Sequence, residues 1–324
     1  MKATLVEDGA ALEALASEWW ELWRRSPAAT PFQSPAWLVS WWQVFGPGRL
    51  CTVAISEAGR LVALAPVYLE DGAFGRRLLP IGIGITDYLD VLLDPAMPEA
   101  GSALTAAVRD IVPEWDVWEL EELMQGAAGL GLPPLSGTAD ESAEQSACPV
   151  LALAGEDAIP ARKRRKLRMA ENRVARRGGA VADVAPDDVP EFLDGLVRLH
   201  GARWASRGEG GVLADDPVRR FHALALPSLA EAGLARLSTL TIDGQAVGAY
   251  YGLQDGRRGY AYLGGFDPAF AFESPGTVLV GRAIATARGE GAGEFHFLRG
   301  REAYKYEWGA ADRSNRRRSF RRHG

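Results

Sequence analysis

The chain has 324 residues, a formal net charge of −6, 47% hydrophobic residues and 24% charged residues. This composition is ordinary for a soluble globular protein, and the length allows a large core and two domains. No apolar run approaches the length of a membrane span, and the N-terminus MKATLVEDGA lacks the order of a signal peptide. Cys51 and Cys148 are the only cysteines and do not indicate an oxidising compartment. We therefore expect a cytoplasmic protein without a membrane span.

The charge is distributed unevenly along the chain. Residues 162–177 contain nine basic residues and one acidic residue, and residues 312–322 contain six arginines and one acidic residue. The remainder is therefore strongly acidic. Two basic patches on an acidic body suggest an anionic partner such as nucleotide phosphates, RNA, a lipid surface or an anionic glycan. It is equally open that the two basic segments are only solvated surface or part of a salt-bridged domain junction.

The first half begins with two predicted helices. Apolar residues recur at helical spacing from Ala10 to Arg25, and Ser34-Pro35 starts a second helix, AWLVSWWQVF, which ends at Gly46. Strands, a helix, an alternating strand and a long loop or linker rich in Gly, Pro and Ser follow. In chain order these segments are CTVAIS, LVALAPVYL, LLPIGIG, TDYLDVLL, residues 104–111, residues 115–121 and residues 126–147.

The second half repeats this order after a basic amphipathic helix at residues 160–177. Both halves show two helices, three strands, a helix and a strand, so we interpret the chain as an internal duplication. The predicted domains are residues 1–150, the probable acceptor side, and residues 151–324, which hold the donor site. The predicted elements of the second half are helices at 190–207, 217–232 and 274–289 and the strands ARLSTLTI, AVGAYYGL, RGYAYLGGF and EFHFL.

The strongest functional signal is the helix start Ser274-Pro275-Gly276-Thr277, which follows a predicted strand. Ser274 is a good N-cap, and Pro275 suits the first helical position. Gly276 leaves no side chain between the helix start and a ligand. A helix N-terminus offers free N–H groups and partial positive charge, so this segment favours a nucleotide pyrophosphate. An ordinary helix cap is the competing interpretation of the local pattern.

The stretch from residue 260 to residue 308 resembles the C-terminal half of the GNAT-fold acetyltransferases of the CelD/BcsL type and, more distantly, the FemABX peptidyltransferases. The matching pieces are Ser274-Pro275-Gly276, Phe295-His296-Phe297-Leu298-Arg299-Gly300, Glu302, Tyr304-Lys305 and Trp308. The resemblance implies an α+β fold of tandem GNAT-like domains, each a mixed, mostly antiparallel sheet flanked by helices. It also implies an acyltransferase with acetyl-CoA or another acyl-CoA as co-substrate. The first half lacks a Ser-Pro-Gly helix start, so we expect one donor site.

Direct acyl transfer needs a pyrophosphate anchor, amides for the acyl carbonyl, a base and an acid. The helix start supplies the anchor. Gly264 and Gly265 allow close backbone approach, so their strand is predicted to hold the carbonyl. Tyr304 is the candidate acid, because the pKa values of a phenol and a thiol differ by only about two units; packing of the short helix is equally open for it. Lys305 matches the family's Tyr-Lys pair and is predicted to bind an anion or to form a surface ion pair.

The best candidate base lies in Asp87-Tyr88-x-Asp90, which also resembles a motif of the CelD/BcsL-type proteins. We place it on a predicted strand, where charge among apolar residues is costly unless it is used or paired. Glu119 and Glu121 are the reserve candidates.

A second group of candidates lies in the second half. His200 is an alternative base, and Arg203, Trp204 and Tyr262 are candidate acceptor-binding residues. His200, Arg203 and Trp204 match the family, and capping of the helix end is their structural interpretation.

Other chemistries find no motif. The sequence has no G-x-S-x-G elbow, no phosphate-binding G-x-x-x-x-G-K-[ST] loop and no His or Cys pair at metal-ligand spacing. The acceptor implied by the resemblance is an amine or hydroxyl on a small molecule or on a cell-envelope or polysaccharide precursor. Two alternatives stay open: a FemABX-like transferase that uses aminoacyl-tRNA bound by the basic segments, and a non-catalytic module that binds a nucleotide or glycan. The tRNA alternative is less favoured, because no long helical-hairpin insertion is present.

Overall fold

The computed structural model describes residues 1–73, 75–155, 158–206 and 208–323. Residues 207 and 324, which end two of the predicted segments, lie outside this part of the chain. The α-helices are α1 Gly9–Ala14, α2 Ala16–Arg25, α3 Pro35–Phe45, α4 Ala100–Ile111, α5 Ala161–Arg176, α6 Val189–Ala205, α7 Asp216–Glu231, α8 Pro275–Gly289 and α9 Ala303–Glu307.

Every predicted strand except TDYLDVLL is present. The described residues also form five strands that were not predicted, at Lys2–Val6, Arg49–Leu50, Thr138–Ala152, Ala180–Asp183 and Ala311–Arg322. In chain order the strands are β1 Lys2–Val6, β2 Arg49–Leu50, β3 Thr52–Glu57, β4 Arg60–Ala65, β5 Val67–Gly72, β6 Gly75–Pro80, β7 Leu92–Leu93, β8 Val117–Leu123, β9 Thr138–Ala152, β10 Ala180–Asp183, β11 Ala235–Ile242, β12 Gln245–Gln254, β13 Arg258–Phe266, β14 Glu294–His296 and β15 Ala311–Arg322.

The chain divides into two compact units. The first comprises Met1–Ser146 and the C-terminal residues from Arg313, and the second comprises Ala147–Asp312. This division differs from the predicted ranges 1–150 and 151–324 mainly at the C-terminus. The arginine-rich end of the chain forms β15, which pairs antiparallel with β8 of the first unit.

The first unit contains two sheets. One has the order β1-β3-β4-β7, and the other contains β2, β5, β6, β8 and β15 as consecutive neighbours. The predicted strand LVALAPVYL is interrupted at Pro66, where β4 ends and β5 begins in a different sheet. Proline lacks the N–H that a ladder needs, so it suits such a break. The core of the unit includes Trp118 stacked on Phe320 of β15 at a ring separation of 5.1 Å.

Two predictions for the first half are wrong. The segment TDYLDVLL is a loop from Thr86 to Val91, and only Leu92–Leu93 forms a strand. The loop is favoured because Asp90 accepts backbone N–H groups locally, as aspartate does in turns. The predicted linker at residues 126–147 contains the first part of β9. Its exposed polar side chains hide the strand, whose hydrogen-bonding partners lie far away in the sequence.

The second unit has a sheet of order β10-β11-β12-β13-β14, completed by the end of β9. All pairs are antiparallel except β13 with β14, which is parallel. The basic helix predicted at residues 160–177 is present as α5. It packs closely on α8, because a Cβ at Gly281 would lie 2.6 Å from a methyl group of Leu167. Both units thus place a helix, α4 or α8, between two parallel strands.

The arginines of β15 contribute to the fold of the first unit. Arg318 is buried, donates to Asp140 at 2.7 Å and 3.0 Å, and donates to the carbonyls of Gly129 and Leu130. Its guanidinium also lies 4.6 Å from the ring of Phe320. Arg318, in the basic segment at residues 312–322, therefore has a structural role in the fold, as the salt-bridge interpretation of that segment expects.

Candidate functional site

Two parallel strands of the second unit, β13 and β14, separate at one end, and we call the gap between them the crevice. These parallel strands pair over only three residues each, ending at Tyr260 opposite His296. Beyond Tyr260, β13 continues to Phe266 along β12, whereas β14 stops and the chain turns at Leu298 with φ +61°. The strands therefore separate at their carboxyl ends. In sheets with parallel strands, this is where ligands bind.

Helix α8 begins at the same edge of the sheet. Ser274 precedes it with φ +56° and makes no side-chain cap, so the predicted capping role of its hydroxyl is wrong. The hydroxyl instead points back and donates to the carbonyl of Ala271 at 3.4 Å. Within the first turn the amide of Thr277 donates to the carbonyl of Ser274 at 2.9 Å, whereas the amide of Gly276 has no acceptor among the described residues. A Cβ at Gly276 would meet only the ring of Phe266, at 3.6 Å, so the helix start lies beside the end of β13.

The two glycines of β13 have different surroundings. A Cβ at Gly265 would lie 2.5 Å from the carbonyl carbon of Leu199 and still closer to the backbone nitrogen of His200. Gly265 therefore lets β13 touch the backbone of α6. A Cβ at Gly264 would lie an ordinary 3.4 Å from the carbonyl oxygen of Ala249. The role predicted for these glycines toward an acyl carbonyl stays a prediction, and the packing on α6 explains Gly265 by itself.

His200 is held by its neighbour on α6. Its side chain is buried, with the residue 3% exposed, and Nε2 accepts from the indole Nε1 of Trp204 at 2.9 Å. Burial, and secondarily the charge of Arg203, lowers the pKa of His200 to about 4. The ring is therefore neutral at pH 7, and because Nε2 is the acceptor, Nδ1 carries the proton.

This Nδ1 is buried and has no hydrogen-bond partner among the described residues. His200 thus presents a donor, and service as a base would require the bond with Trp204 to break. Gly211, with φ +69°, covers the pair, because a Cβ there would lie 2.5 Å from Cδ1 of Trp204.

An aromatic cluster lies beside β12 and β13. The strand register shifts between Tyr251 and Gly252, which leaves Tyr262 as the extra residue of a β-bulge. The ring of Tyr262 lies 5.3 Å from Tyr251 and 5.6 Å from His222 of α7. Burial, followed by the nearby His200, lowers the pKa of His222 to about 3.

Sequence reasoning missed two members of this cluster, Tyr251 and His222. Burial raises the pKa of Tyr251, whose hydroxyl has no hydrogen-bond partner in the described part of the chain. The available signal for Tyr251 was the pair of tyrosines inside the otherwise apolar strand AVGAYYGL.

Arg203 connects α6 to the end of β13. It donates to the carbonyl of Gly264 at 3.3 Å, and its guanidinium lies 5.3 Å from the ring of Phe266. The structure therefore brings together half of the predicted site residues of the second half along β13. These are His200, Arg203, Trp204, Tyr262, Gly264 and Gly265.

The predicted Tyr-Lys pair separates into an exposed and a buried side chain. Tyr304 is 40% exposed, and its ring meets Phe297 edge-on at 6.4 Å. Lys305 is 3% exposed, and its ammonium donates to the carbonyls of Leu298, Arg299 and Gly300 at 3.2, 2.6 and 3.2 Å. It also pairs with Glu302 at 2.9 Å. Lys305 was predicted to bind an anion or to form a surface ion pair. Its ammonium is instead buried and donates to the backbone of the loop after β14.

The Asp-Tyr-x-Asp segment builds a loop of the first unit. Asp90 accepts from the backbone amides of Val91, Ala128 and Gly129 at 2.7 to 2.8 Å. Burial raises the pKa of Asp90 to about 7, against the effect of these donors. Two of the candidate bases are therefore engaged structurally, since Tyr88 is also buried, against Phe32 with a ring separation of 6.1 Å. Asp87 is half-buried, and its carbonyl accepts from Asn315 at 3.2 Å.

The reserve carboxylates also have partners. Arg77 lies 2.7 Å from Glu119 and 3.8 Å from Glu121. Burial, and then the neighbouring Glu119, raises the pKa of Glu121. Sequence reasoning missed Glu122, which has φ +49° and accepts from Asn315 at 2.7 Å and from the hydroxyl of Ser146 at 2.6 Å.

Two kinds of feature are absent from the described residues. No group of three or more His, Cys, Asp or Glu residues there is arranged to hold a metal ion. No helix in the same part of the chain is both long enough and apolar enough to cross a membrane.

Comparison with known proteins supports the second unit's geometry. Residues 161–306 match the family model described as "Acetyltransferase (GNAT) domain". No curated protein matches the sequence. The crystal structure of FemX is 12% identical with a TM-score of 0.69, covering 98% of this chain and 97% of that one. The chain has a GNAT-like fold. The predicted α+β class, with mixed and mostly antiparallel sheets, is thereby confirmed, whereas membership of the CelD/BcsL type stays a prediction.

Two further solved structures share the fold over nearly their whole length. A conserved protein of unknown function from Bacteroides thetaiotaomicron is 12% identical with a TM-score of 0.63, and the match covers 99% of this chain and 100% of that one. The C-terminal domain of a putative lysylphosphatidylglycerol synthetase from Agrobacterium fabrum is 13% identical with a TM-score of 0.60, covering 98% and 93%. At these identities the likeness concerns the fold alone.

Proposed function

We propose that this protein is an acyltransferase that moves an acetyl or other acyl group from acyl-CoA to an amine or hydroxyl by direct transfer. The observation that carries the proposal is the crevice where β13 and β14 separate beside the first turn of α8. The match of residues 161–306 to a GNAT domain includes all three of these elements. A small-molecule or cell-envelope acceptor is the class that we propose.

The donor's pyrophosphate fits the start of α8. The amide of Gly276 lies in the first helical turn without an acceptor among the described residues, and its N–H group and the helix dipole favour an anion. Gly276 adds no side chain, and the Ser274 hydroxyl is turned away toward Ala271. The acyl group would then enter the crevice, where the part of β13 beyond Tyr260 is no longer paired with β14 and offers backbone amides to the carbonyl oxygen.

The transfer step needs no covalent intermediate with the protein. The acceptor's nitrogen or oxygen attacks the thioester carbon, the C–S bond breaks, the acceptor loses a proton and the sulfur gains one. We assign the donation to sulfur to Tyr304, which is exposed beside Phe297 just after β14. Asp87 stays a predicted base; it lies in the first unit, in the loop that Asp90 anchors through backbone amides.

The acceptor is proposed to meet the cluster on α6, α7 and β13. His200 Nδ1 and the hydroxyl of Tyr251 are both buried without a hydrogen-bond partner among the described residues. Buried donors without acceptors cost about 1–3 kcal/mol each, so an acceptor molecule that supplies oxygen atoms would be stabilised there. Arg203 adds a positive charge at the end of β13.

Calorimetric titration with CoA and acetyl-CoA tests the donor assignment. We expect micromolar binding that Gly276→Asp abolishes, because a carboxylate would face the pyrophosphate. Gly276→Ala is the matched control and should bind normally, since its Cβ would lie 3.6 Å from Phe266. Equal affinity of the Asp variant and the wild type would remove the donor site from α8. Absence of CoA binding by the folded protein would favour aminoacyl-tRNA or a binding module, and tRNA would be titrated next.

A single-atom change tests the acceptor assignment. Tyr251→Phe removes only the hydroxyl that lacks a partner. We expect CoA affinity to be unchanged and kcat/KM for the acceptor to fall about tenfold, the loss of one hydrogen bond made in the transition state. An unchanged kcat/KM across the acceptors that the wild type uses would show that this hydroxyl does not touch them.

A further inference from the structure

Helix α5 carries cations on two different faces, and those of the inner face build the second unit. Lys163 and Lys166 bind Glu307 at 3.1 and 2.9 Å. Arg173 donates to the carbonyl of Phe272 at 2.8 Å, and Arg177 binds Glu273 at 3.0 Å. These residues account for part of the basic segment as structure.

The outer face holds four arginines that the fold does not use. Arg162, Arg165, Arg168 and Arg176 are all exposed, and none has an ion pair or hydrogen bond within the described residues. At 100° per residue they occupy a sector of about 120° around the helix and extend over roughly 20 Å of its length. They lie on one side of α5, in a row along the helix.

Apolar side chains lie within and beside this row. Met169 falls in the same sector and is 48% exposed. Phe272 is 69% exposed, and its ring lies 4.2 Å from the guanidinium of Arg173, the residue one turn beyond Met169. We call the four arginines with Met169 and Phe272 the outer face of α5. Large apolar side chains this exposed within a cluster of charges mark an interaction surface.

We propose that the outer face of α5 binds the surface of an anionic phospholipid membrane. Guanidinium groups bind lipid phosphates, often through two parallel hydrogen bonds. A row along one helix face lies flat on a plane, and Met169 and Phe272 insert between headgroups, as apolar side chains of interfacial helices do. RNA binding uses clustered cations equally well, but it does not require the side chains of Met169 and Phe272 to enter an apolar phase. Outside the two basic segments the chain is strongly acidic, so attraction to an anionic surface is limited to those segments, and the control below removes exposed arginines of the second one.

The charge component is tested by sedimentation of the full chain with vesicles. Vesicles of phosphatidylglycerol and phosphatidylcholine should bind it at low salt, and vesicles of phosphatidylcholine alone should not. The triple variant Arg165→Gln, Arg168→Gln, Arg176→Gln should bind roughly 100-fold more weakly, from about a fivefold loss per arginine. The matched control, Arg288→Gln, Arg317→Gln, Arg321→Gln, removes the same charge from other exposed positions. Equal weakening by the control would overturn the assignment to α5.

The apolar component separates a membrane from RNA. Met169→Gln with Phe272→Gln leaves the charge unchanged and should weaken vesicle binding at least tenfold, because two apolar side chains no longer leave water. A labelled 20-nucleotide RNA serves as the competing polyanion. RNA binding tighter than vesicle binding and unaffected by this double variant would overturn the proposal, as would no vesicle binding by the wild type. The measurement does not depend on the proposed acyl transfer.

Discussion

Lys305→Met tests whether this lysine builds the fold or acts in the reaction. The wild-type ammonium is buried and donates to three consecutive carbonyls, those of Leu298, Arg299 and Gly300, while pairing with Glu302. Methionine keeps most of the volume of the side chain and removes every donor. The three carbonyls then lose their partner in a loop where Leu298 has φ +61°. We therefore expect the loop after β14 to lose its shape.

The magnitude follows from the bonds that are lost. A hydrogen bond to a charged group contributes about 1.5–3 kcal/mol, and bonds that share one donor are not additive. We expect Lys305→Met to lower the free energy of unfolding by about 3–5 kcal/mol, a large fraction of the typical 5–15 kcal/mol of a domain. Loss of the crevice shape should also weaken donor binding, since the loop follows β14 directly.

Urea unfolding at pH 7 measures this change, with Lys166→Met as the matched control. Lys166 is 43% exposed in its pairing with Glu307, so its replacement should cost less than about 1 kcal/mol. The reasoning would be refuted by a Lys305→Met variant that is as stable as the Lys166→Met variant yet inactive in transfer. That result would show that the ammonium serves a substrate and not the loop.

Three further changes have defined outcomes. Gly265→Ala should lower stability by about 1–3 kcal/mol, because its Cβ would meet the backbone of α6, whereas Gly264→Ala should be tolerated; thermal melts compare the two. The pKa of His200 is lowered from 6.5 to about 4, so between these pH values the unfolded chain binds a proton that the folded chain does not. The free energy of unfolding, measured by urea titration, should therefore fall as the pH is lowered from 6.5 to 4, and it should fall less in a His200→Gln variant. Asp90→Asn should cost about 2 kcal/mol by urea unfolding, since an amide has one acceptor oxygen for three amides; no loss would contradict its anchoring role.

The sequence by itself determined the elements whose signals are local. The basic helix α5, helix α8 with its Pro275 start, and the three strands β11, β12 and β13 follow from helical or alternating periodicity and from Asp-Gly turns. These patterns depend on residues a few positions apart, so no distant partner is needed to recognise them. The crevice could be placed near α8 for the same reason, and the resemblance supplied its chemistry.

Tertiary structure alone decided which side chains are engaged and which remain available. The bond between His200 and Trp204 fixes the tautomer, and the carbonyls around Lys305 are found only once the loop after β14 is folded. Strand β15 pairs with β8, about 200 positions earlier in the chain, as the pairing of Phe320 with Trp118 shows. A polar, arginine-rich segment becomes a strand because its hydrogen-bonding partner and the burial of its one aromatic side chain are supplied from that distance.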